Sequence, residues 1–296
     1  MTTPTKRGIR SAQTSVLLNA GLAMTKLVAG VVGHTYALIA DAVESTADVF
    51  GSLIVWRGLH VAGRAADEDY PFGYGKAESL AAAVVALIVM VSALFIAVQA
   101  VREIRTPHLT PAPWTLLVLV GVVSVKAWLS RYVGAVGDEI GSQAVKADAW
   151  HHLSDAMTSA AAFLGISIAL LGSRYRGGTG WESADDWAAL LASLVIAYNG
   201  AALLRPAVHD LMDRAPGKDV VDAVRRAAES VPEVLATEKL AVRRTGLVYR
   251  VTLHVQASED MTLHDAHVLS GKVKSAIRTA EPRVDSVLVH MEPYDR

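Results

Sequence analysis

Asp41-Ala-Val-Glu44-Ser-Thr-Ala-Asp48 places three acids inside an otherwise apolar segment, residues 36–59. If this segment spans a bilayer, each ionised carboxylate near its middle costs roughly 2.5–3.5 kcal/mol on insertion scales. Acids in membrane spans therefore usually face the interior of a helix bundle and serve a function. The stretch predicts a membrane helix whose polar stripe is turned toward other helices.

A second stretch, Asp148-Ala-Trp-His151-His-Leu-Ser-Asp155, repeats the spacing of the first. Both follow the pattern Asp-x-x-[Glu/His]-x-x-x-Asp. On an α-helix, positions offset by 0, 3 and 7 residues fall within about 60° of one another, so each stretch presents its polar groups on one stripe.

Two such stripes facing each other would form a cage of four ligands from Glu44, Asp48, His151 and Asp155. Carboxylate oxygens with one imidazole nitrogen suit a tetrahedral divalent ion of borderline softness. The alternative is that these groups only hydrogen-bond between packed helices. Two matched sets in two predicted spans favour a metal site, because a bound cation makes buried acids tolerable.

The composition indicates a membrane protein with a smaller soluble part. The chain has 296 residues, 52% of them hydrophobic, and most of the apolar residues precede about residue 211. We therefore predict a transmembrane domain over 1–210 and a soluble domain over 211–296. A formal charge of −1 provides no basic field for nucleic acid, and the absence of cysteine excludes disulfides and thiolate metal sites.

Six segments are long and apolar enough to cross a bilayer, for which a helix needs about 20 mainly apolar residues. The predicted spans are residues 11–32, 37–60, 79–104, 114–133, 142–171 and 187–204. The polar residues of the second stretch lower the hydropathy of the fifth segment, which spans only if those side chains point inward. Lys26 and Lys126 also lie within spans, where they could form pairs with other residues or extend to the interface. We expect their long side chains to reach the interface.

The distribution of Lys and Arg predicts that both termini are cytoplasmic. The N-terminus, the second and fourth connections and the segment after the last span are richer in these residues than the opposite side. That side carries only Arg102, Arg105, Arg174 and Arg176.

After about residue 210 the periodicity changes and predicts a small α+β domain. The predicted elements are a helix over 218–230, strands over 235–242 and 247–256, a helix from the capping box at 262–265 to before 282, and a strand over 284–291. This αββαβ order suggests a ferredoxin-like open sandwich of two helices on a three-stranded sheet.

Further stretches flank the two ligand pairs. They are Phe72-Gly-Tyr-Gly-Lys-Ala-Glu-Ser79 after the second span and Ser142-Gln-Ala-Val-Lys-Ala-Asp148 entering the fifth. Together with six spans, the Glu44-x-x-x-Asp48 and His151-x-x-x-Asp155 pairs and the αββαβ tail, they resemble the cation diffusion facilitator, or cation efflux, family. The resemblance covers nearly the whole chain.

The resemblance implies a homodimer in the lipid bilayer of a bacterial-type inner or plasma membrane that exports a divalent metal in exchange for protons. Zinc is the family's most frequent substrate, and Fe2+, Mn2+, Co2+, Ni2+ and Cd2+ are alternatives. It also implies a transport domain over 1–210, a cytoplasmic regulatory or dimerisation domain over 211–296, and no enzyme activity. No nucleotide is expected, because Gly73-Tyr-Gly75-Lys76 lacks the spacing of a phosphate loop.

The resemblance assigns roles to individual residues. By it, the four-ligand cage is the transport site, and Lys76 pairs with Asp213 near the membrane surface to help tie the dimer. From their position one turn away, Asp41 and Asp148 are expected to support the ligands or relay protons; the alternative is hydrogen bonding at a cytoplasmic or outer vestibule. Ligand positions of a metal site in the cytoplasmic domain match His254, His267, His290 and Glu292, and Glu238 stands where some members carry His.

Two departures from the family leave points open. Glu44 stands where zinc exporters commonly carry His or Asp, which leaves the choice of metal open. Tyr70 and Tyr74 occupy loop positions where some members have His, so a metal site in this loop is either missing or rebuilt from Asp67-Glu68-Asp69.

The predicted ligands bind metal only when deprotonated, so protons and the metal ion compete for the same atoms. This competition is a sufficient basis for antiport by alternating access. Two other function classes are a metal-gated channel, which would conduct without proton coupling, and an intramembrane metalloenzyme. The enzyme would need an open coordination position, and the chain has no His-Glu-x-x-His.

Overall fold

In the part of the chain that the structure describes, six long helices precede a small α+β unit. The computed structural model describes residues 3–32, 36–105, 115–175 and 184–294; some side chains within these ranges, among them those of Asp41 and Glu44, lie outside the description. The helices are α1 Thr3–Val32, α2 Tyr36–Ala62, α3 Lys76–Arg105, α4 Thr115–Ile140, α5 Gln143–Tyr175, α6 Ala184–Leu211, α7 Lys218–Glu229 and α8 Leu263–Ala280. The strands are β1 Ala236–Thr245, β2 Val248–Ala257 and β3 Val284–Pro293.

The chain divides into two compact units, Met1–Ala207 and Val208–Arg296. Within the described residues of the first unit, Lys76–Arg102 and Leu116–Ile140 are long and apolar enough to cross a membrane, and Leu190–Leu211 of α6 is a third such segment. For α1, α2 and α5, parts of which lie outside the described residues, the predicted crossing stays a prediction.

The helix bundle is held by pairwise packing of α1 on α2 and of α4 on α5, with α3 in contact with both α2 and α5. Its outer surface is apolar, since Leu17, Phe50, Phe95, Leu117 and Leu191 are exposed. A surface with many exposed large apolar side chains suits contact with hydrocarbon rather than water.

The close approach of α2 to α3 depends on Gly58. A Cβ built at this position would lie 2.4 Å from the Cβ of Ala81 on α3, a distance that no real pair of side chains adopts. Small residues at helix interfaces let backbones approach closely in membrane proteins. The glycine therefore sets the spacing of the two helices.

The second unit has a three-stranded sheet of order β1-β2-β3, with β2 antiparallel to β1 and parallel to β3. Alternate residues of β2, including Val251, Leu253 and Val255, are buried in a core with apolar residues of α7 and α8. Thr262 caps α8 by accepting a hydrogen bond from the backbone N–H of Asp265, as the sequence predicts. The remaining face of the sheet, which carries His254, is not covered by these helices.

Candidate metal centre

Asp48 of α2 meets His151 and Asp155 of α5 inside the bundle. Asp48 Oδ1 lies 3.2 Å from His151 Nε2, and Asp155 Oδ1 lies 4.0 Å from His151 Nδ1. One ligand atom from each of the three residues lies within 4.8 Å of the others. The predicted spacing therefore brings these three side chains together, while the side chain of Glu44 lies outside the described residues.

The approach of the two helices leaves room for the imidazole. Gly51, one turn after Asp48, faces the ring, and a Cβ there would lie 3.6 Å from His151 Nε2. Asp48 and His151 are both buried, and Asp155 is partly buried. Buried acids and a histidine so close together need a cation to balance them.

Lys126 of α4 does not reach the interface, which corrects the expectation from the sequence. Its side chain is buried, and its Nζ lies 2.7 Å from Asp48 Oδ2 and 2.9 Å from Asp155 Oδ2. The reason is electrostatic, because two buried carboxylates next to the side chain bind the ammonium more strongly than distant water could.

A buried polar chain leads from Lys126 across the bundle. Lys126 Nζ donates to Asn19 Oδ1 at 3.0 Å, and Asn19 Nδ2 donates to Ser52 Oγ at 3.4 Å. Ser52 Oγ in turn donates to Asp148 Oδ1 at 2.8 Å, and Asp148 Oδ2 lies 3.5 Å from His152 Nε2. Asp148 is thus connected to the centre through α1 and α2, whereas the side chain of Asp41 lies outside the described residues.

The start of α5 is fixed by Glu78 of α3, whose role the sequence did not indicate. Its Oε1 accepts a hydrogen bond from Ser142 Oγ at 2.7 Å and another from the Ala144 backbone N–H at 2.9 Å. Glu78 is fully buried. A carboxylate at a helix N-terminus satisfies backbone donors that have no partner within the helix.

The loop between α2 and α3 is organised by Asp67. Asp67 Oδ1 accepts from the Tyr70 backbone N–H at 2.8 Å, and Oδ2 accepts from the Tyr74 hydroxyl at 2.6 Å. These hydrogen bonds, that of Tyr74 above all, lower the pKa of Asp67 below its usual value of 3.8. In the part of the chain that is described, Asp67, Glu68 and Asp69 do not form a metal-ligand group.

A second group of ligand atoms lies on the uncovered face of the sheet, formed by His254, His290 and Glu292. His254 of β2 is paired in register with His290 of β3, and their ring centroids are 4.7 Å apart. His254 Nδ1 donates to Glu292 Oε1 at 2.6 Å, and this bond lowers the pKa of Glu292.

Two further residues predicted for this group are placed elsewhere. Glu238 of β1 is paired in register with His254, but its carboxylate accepts a hydrogen bond from Gln256. His267 is exposed on α8, the helix that packs on the other face of the sheet. The structure thus brings together three of the five residues predicted as metal ligands in the second unit.

The predicted pair of Lys76 and Asp213 stays a prediction, because the two residues belong to different units. In the second unit, Asp213 Oδ2 accepts a hydrogen bond from Arg243 Nη1 at 3.1 Å. Lys76 begins α3 in the first unit.

Both parts of the chain match profiles of known proteins. The cation efflux transmembrane domain matches residues 12–212, and the cytoplasmic domain of cation efflux proteins matches residues 216–294. The chain belongs to the cation efflux family, the cation diffusion facilitators. As a member of this family, it is an integral membrane transporter whose substrate is a divalent metal ion, and it is not an enzyme.

Similar relatives match over most of their length. The manganese efflux system protein MneP of Bacillus subtilis (strain 168) is 27% identical over 95% of this chain and 94% of its own. The cation-efflux pump FieF of Serratia proteamaculans (strain 568) is 32% identical over 92% and 88%, and the magnetosome protein MamB of Magnetospira (strain QH-2) is 28% identical over 93% and 92%. A solved variant of MamM-CTD is 24% identical over 26% of this chain and 98% of its own, with a TM-score of 0.26.

The site predicted from the sequence did not include Asn19, and Lys126 was predicted at the interface, whereas Lys126 bonds to Asn19, Asp48 and Asp155 inside the bundle. A signal for Asn19 was present, because Ser11, Ser15 and Asn19 recur every four residues and form a buried polar stripe on α1. For Lys126 the signal was the excess of acids in the predicted cage, which calls for a cation on a neighbouring helix.

Proposed function

We propose that this cation efflux protein exports a first-row divalent transition-metal ion, zinc first among the candidates, in exchange for protons. The ion passes through a site formed by Asp48, His151 and Asp155, with Glu44 as the fourth ligand suggested by the sequence. The observation that supports this best is the gathering of three ligand atoms from two helices within 4.8 Å inside the bundle.

Manganese is the second candidate substrate. A donor set with more carboxylate oxygens than imidazole nitrogens is harder than the sets that zinc prefers, and carboxylates suit Mn2+. The relative named a manganese efflux system protein supports the same choice. Fe2+, Co2+ and Ni2+ are further candidates, because carboxylate and imidazole ligands bind them too. Cd2+, a heavier ion, is the last candidate.

Proton exchange follows from the chemistry of the ligands. Carboxylate and imidazole bind the ion only without their protons, so loading releases protons and reprotonation releases the ion. Rocking of the bundle would expose the site to one side and then the other. The two matched stripes on α2 and α5 supply the groups at which this competition occurs.

For the second unit we propose a cytoplasmic location, homodimer formation and a regulatory metal site. The match of residues 216–294 to the family's cytoplasmic domain supports the location. The group of His254, His290 and Glu292 supports the site, since imidazole and carboxylate on an open sheet face can bind a divalent ion. The Lys76–Asp213 pair and both cytoplasmic termini belong to the same proposal.

Transport by purified protein in liposomes tests the proposed function. We expect zinc uptake coupled to proton movement, with Asp48→Asn and His151→Ala reducing the uptake rate by about a hundredfold or more, because each loses a ligand. Asp138→Asn is the matched control, since this acid is largely exposed and pairs with Lys146. Unchanged uptake in the ligand variants would contradict the proposal.

Two extensions of this assay address the alternatives. Competition by Mn2+, Fe2+, Co2+, Ni2+ and Cd2+ ranks the substrates. If zinc flux continues at the same rate after the pH gradient has been collapsed and proton movement is absent, the protein is a channel rather than an antiporter.

The regulatory site has its own test in metal titration of the full-length protein. In a background of Asp48→Asn, which removes the transport site, we expect His290→Ala to weaken the remaining binding by about ten- to a hundredfold. His267→Ala is the matched control and should leave it unchanged. Equal effects of the two substitutions would reject the group on the sheet.

A further inference from the structure

Lys126 places a positive charge inside the site proposed for the transported ion. Its ammonium donates to Asp48, Asp155 and Asn19 at 2.7, 2.9 and 3.0 Å, so the three N–H donors of the group all have acceptors. Because these partners come from α1, α2 and α5, four helices meet at this one group. These hydrogen bonds hold the ammonium group in place.

The two carboxylates divide their oxygens between Lys126 and His151. Asp48 and Asp155 each direct Oδ2 to the ammonium and Oδ1 toward the imidazole. The Oδ1 atoms approach different nitrogens of the ring, Asp48 at Nε2 and Asp155 at Nδ1. They are the oxygens left to a divalent ion bound beside His151 while Lys126 keeps the Oδ2 atoms. Binding of the ion does not require the lysine to leave.

We propose that Lys126 is a positioning residue that stays bound to Asp48 and Asp155 during transport, and that its charge weakens their hold on the ion so that the ion is released. A fixed positive charge close to a divalent cation repels it, and this repulsion is strong in a buried site. Lys126 also restricts each carboxylate to one ligand oxygen. The inference rests on the proposed function of the site.

We expect that removing the charge raises the affinity for zinc and lowers the maximal transport rate. With the charge removed in Lys126→Gln or Lys126→Met, zinc should bind on the order of tenfold tighter and the transport KM should fall accordingly. The maximal rate should also fall, because the ion leaves more slowly. Lys126→Arg keeps the charge and should restore values near those of the unaltered protein.

The experiment measures zinc binding, KM and maximal rate on full-length protein, with thermal unfolding as a check of folding. Lys146→Gln is the matched control, because Lys146 lies in α5 and pairs with Asp138 at 2.7 Å, outside the site. It should leave all four quantities unchanged. Lys126→Gln retains N–H donors for the carboxylates. It can therefore be measured even if Lys126→Met does not fold.

Three results would overturn the inference. Weaker or unchanged zinc binding in both neutral variants would show that the charge does not oppose the ion. Failure of both neutral variants to fold, when Lys126→Arg folds, would make Lys126 a structural residue. Unaltered binding and transport in Asp48→Asn would instead reject the proposed function, and the inference with it.

Discussion

At the scale of single residues, buried charges in the bundle are tolerated because each has several partners. Glu78 has no exposed surface and accepts hydrogen bonds from Ser142 and from the backbone of Ala144. Lys126 is likewise held by three acceptors. Removing one member of such a group leaves the others buried without partners, which costs more than the net value of the bonds.

Glu78→Ala should therefore destabilise the first unit by about 2 kcal/mol, since the Ser142 hydroxyl and the Ala144 N–H lose their acceptor in a buried place. Glu78→Gln keeps a carbonyl oxygen and should cost less. Thermal unfolding of the purified protein measures both. Equal stability of Glu78→Ala and the unaltered protein would show that this contact does not fix the start of α5.

Low pH should reduce the folding stability of the second unit, because Glu281 becomes protonated. Hydrogen bonds from the Arg283 side chain lower the pKa of Glu281 below its ordinary value of 4.5. The stabilisation is therefore present above pH 4.5 and is lost as the pH falls below that value through the folded-state pKa.

Hydrogen exchange at the Tyr249 amide, which donates to the Arg283 carbonyl at 2.9 Å, reports on this contact. Glu281→Gln should speed exchange, relative to the unaltered protein, at about neutral pH, and the difference should shrink below pH 4.5. A difference that persists undiminished in acid would contradict this origin.

At the scale of elements, the spacing of α2 and α3 is set by one glycine. Gly58→Ala brings a methyl group to 2.4 Å from the Cβ of Ala81 and should cost about 1–3 kcal/mol, because one helix must move. Gly121→Ala on α4 is the control, since nothing lies within 4 Å of its added Cβ, and it should be neutral or stabilising. Thermal unfolding compares them.

Ala81→Gly in the Gly58→Ala background makes this comparison specific. The second substitution removes the clashing methyl group, so Gly58→Ala should cost less stability in Ala81→Gly protein than in the unaltered protein. If it does not, the loss has a cause other than contact between the two helices.

The sequence predicted elements where periodicity and caps are strong. The αββαβ order, the cap at Thr262 and the helical stretches carrying both ligand patterns follow from the spacing of apolar and polar residues. The structure of the loop between α2 and α3 was harder to predict from the sequence. Asp67 forms hydrogen bonds with Tyr70 and Tyr74 only once the chain has turned. Strand ends also differed by one to three residues, since fraying and bulges depend on tertiary contacts.

At the scale of the whole molecule, the two ligand patterns indicated which side chains meet, since a polar stripe in an apolar helix must face a partner. They did not indicate the neighbours that come from other helices. Lys126 of α4 and Asn19 of α1 enter the centre through packing of α1 on α4 and of α4 on α5, and long-range packing leaves no local spacing to detect. The lysine was therefore assigned to the interface.

We propose that one divalent ion is held jointly by Asp48, His151 and Asp155. Anomalous X-ray diffraction at the zinc edge from crystals of the full-length protein with bound zinc tests it most directly. We expect an anomalous peak about 2.0–2.2 Å from a ligand atom of each of the three residues. A peak that contacts none of them, or zinc bound in the first unit only at other side chains, would contradict it.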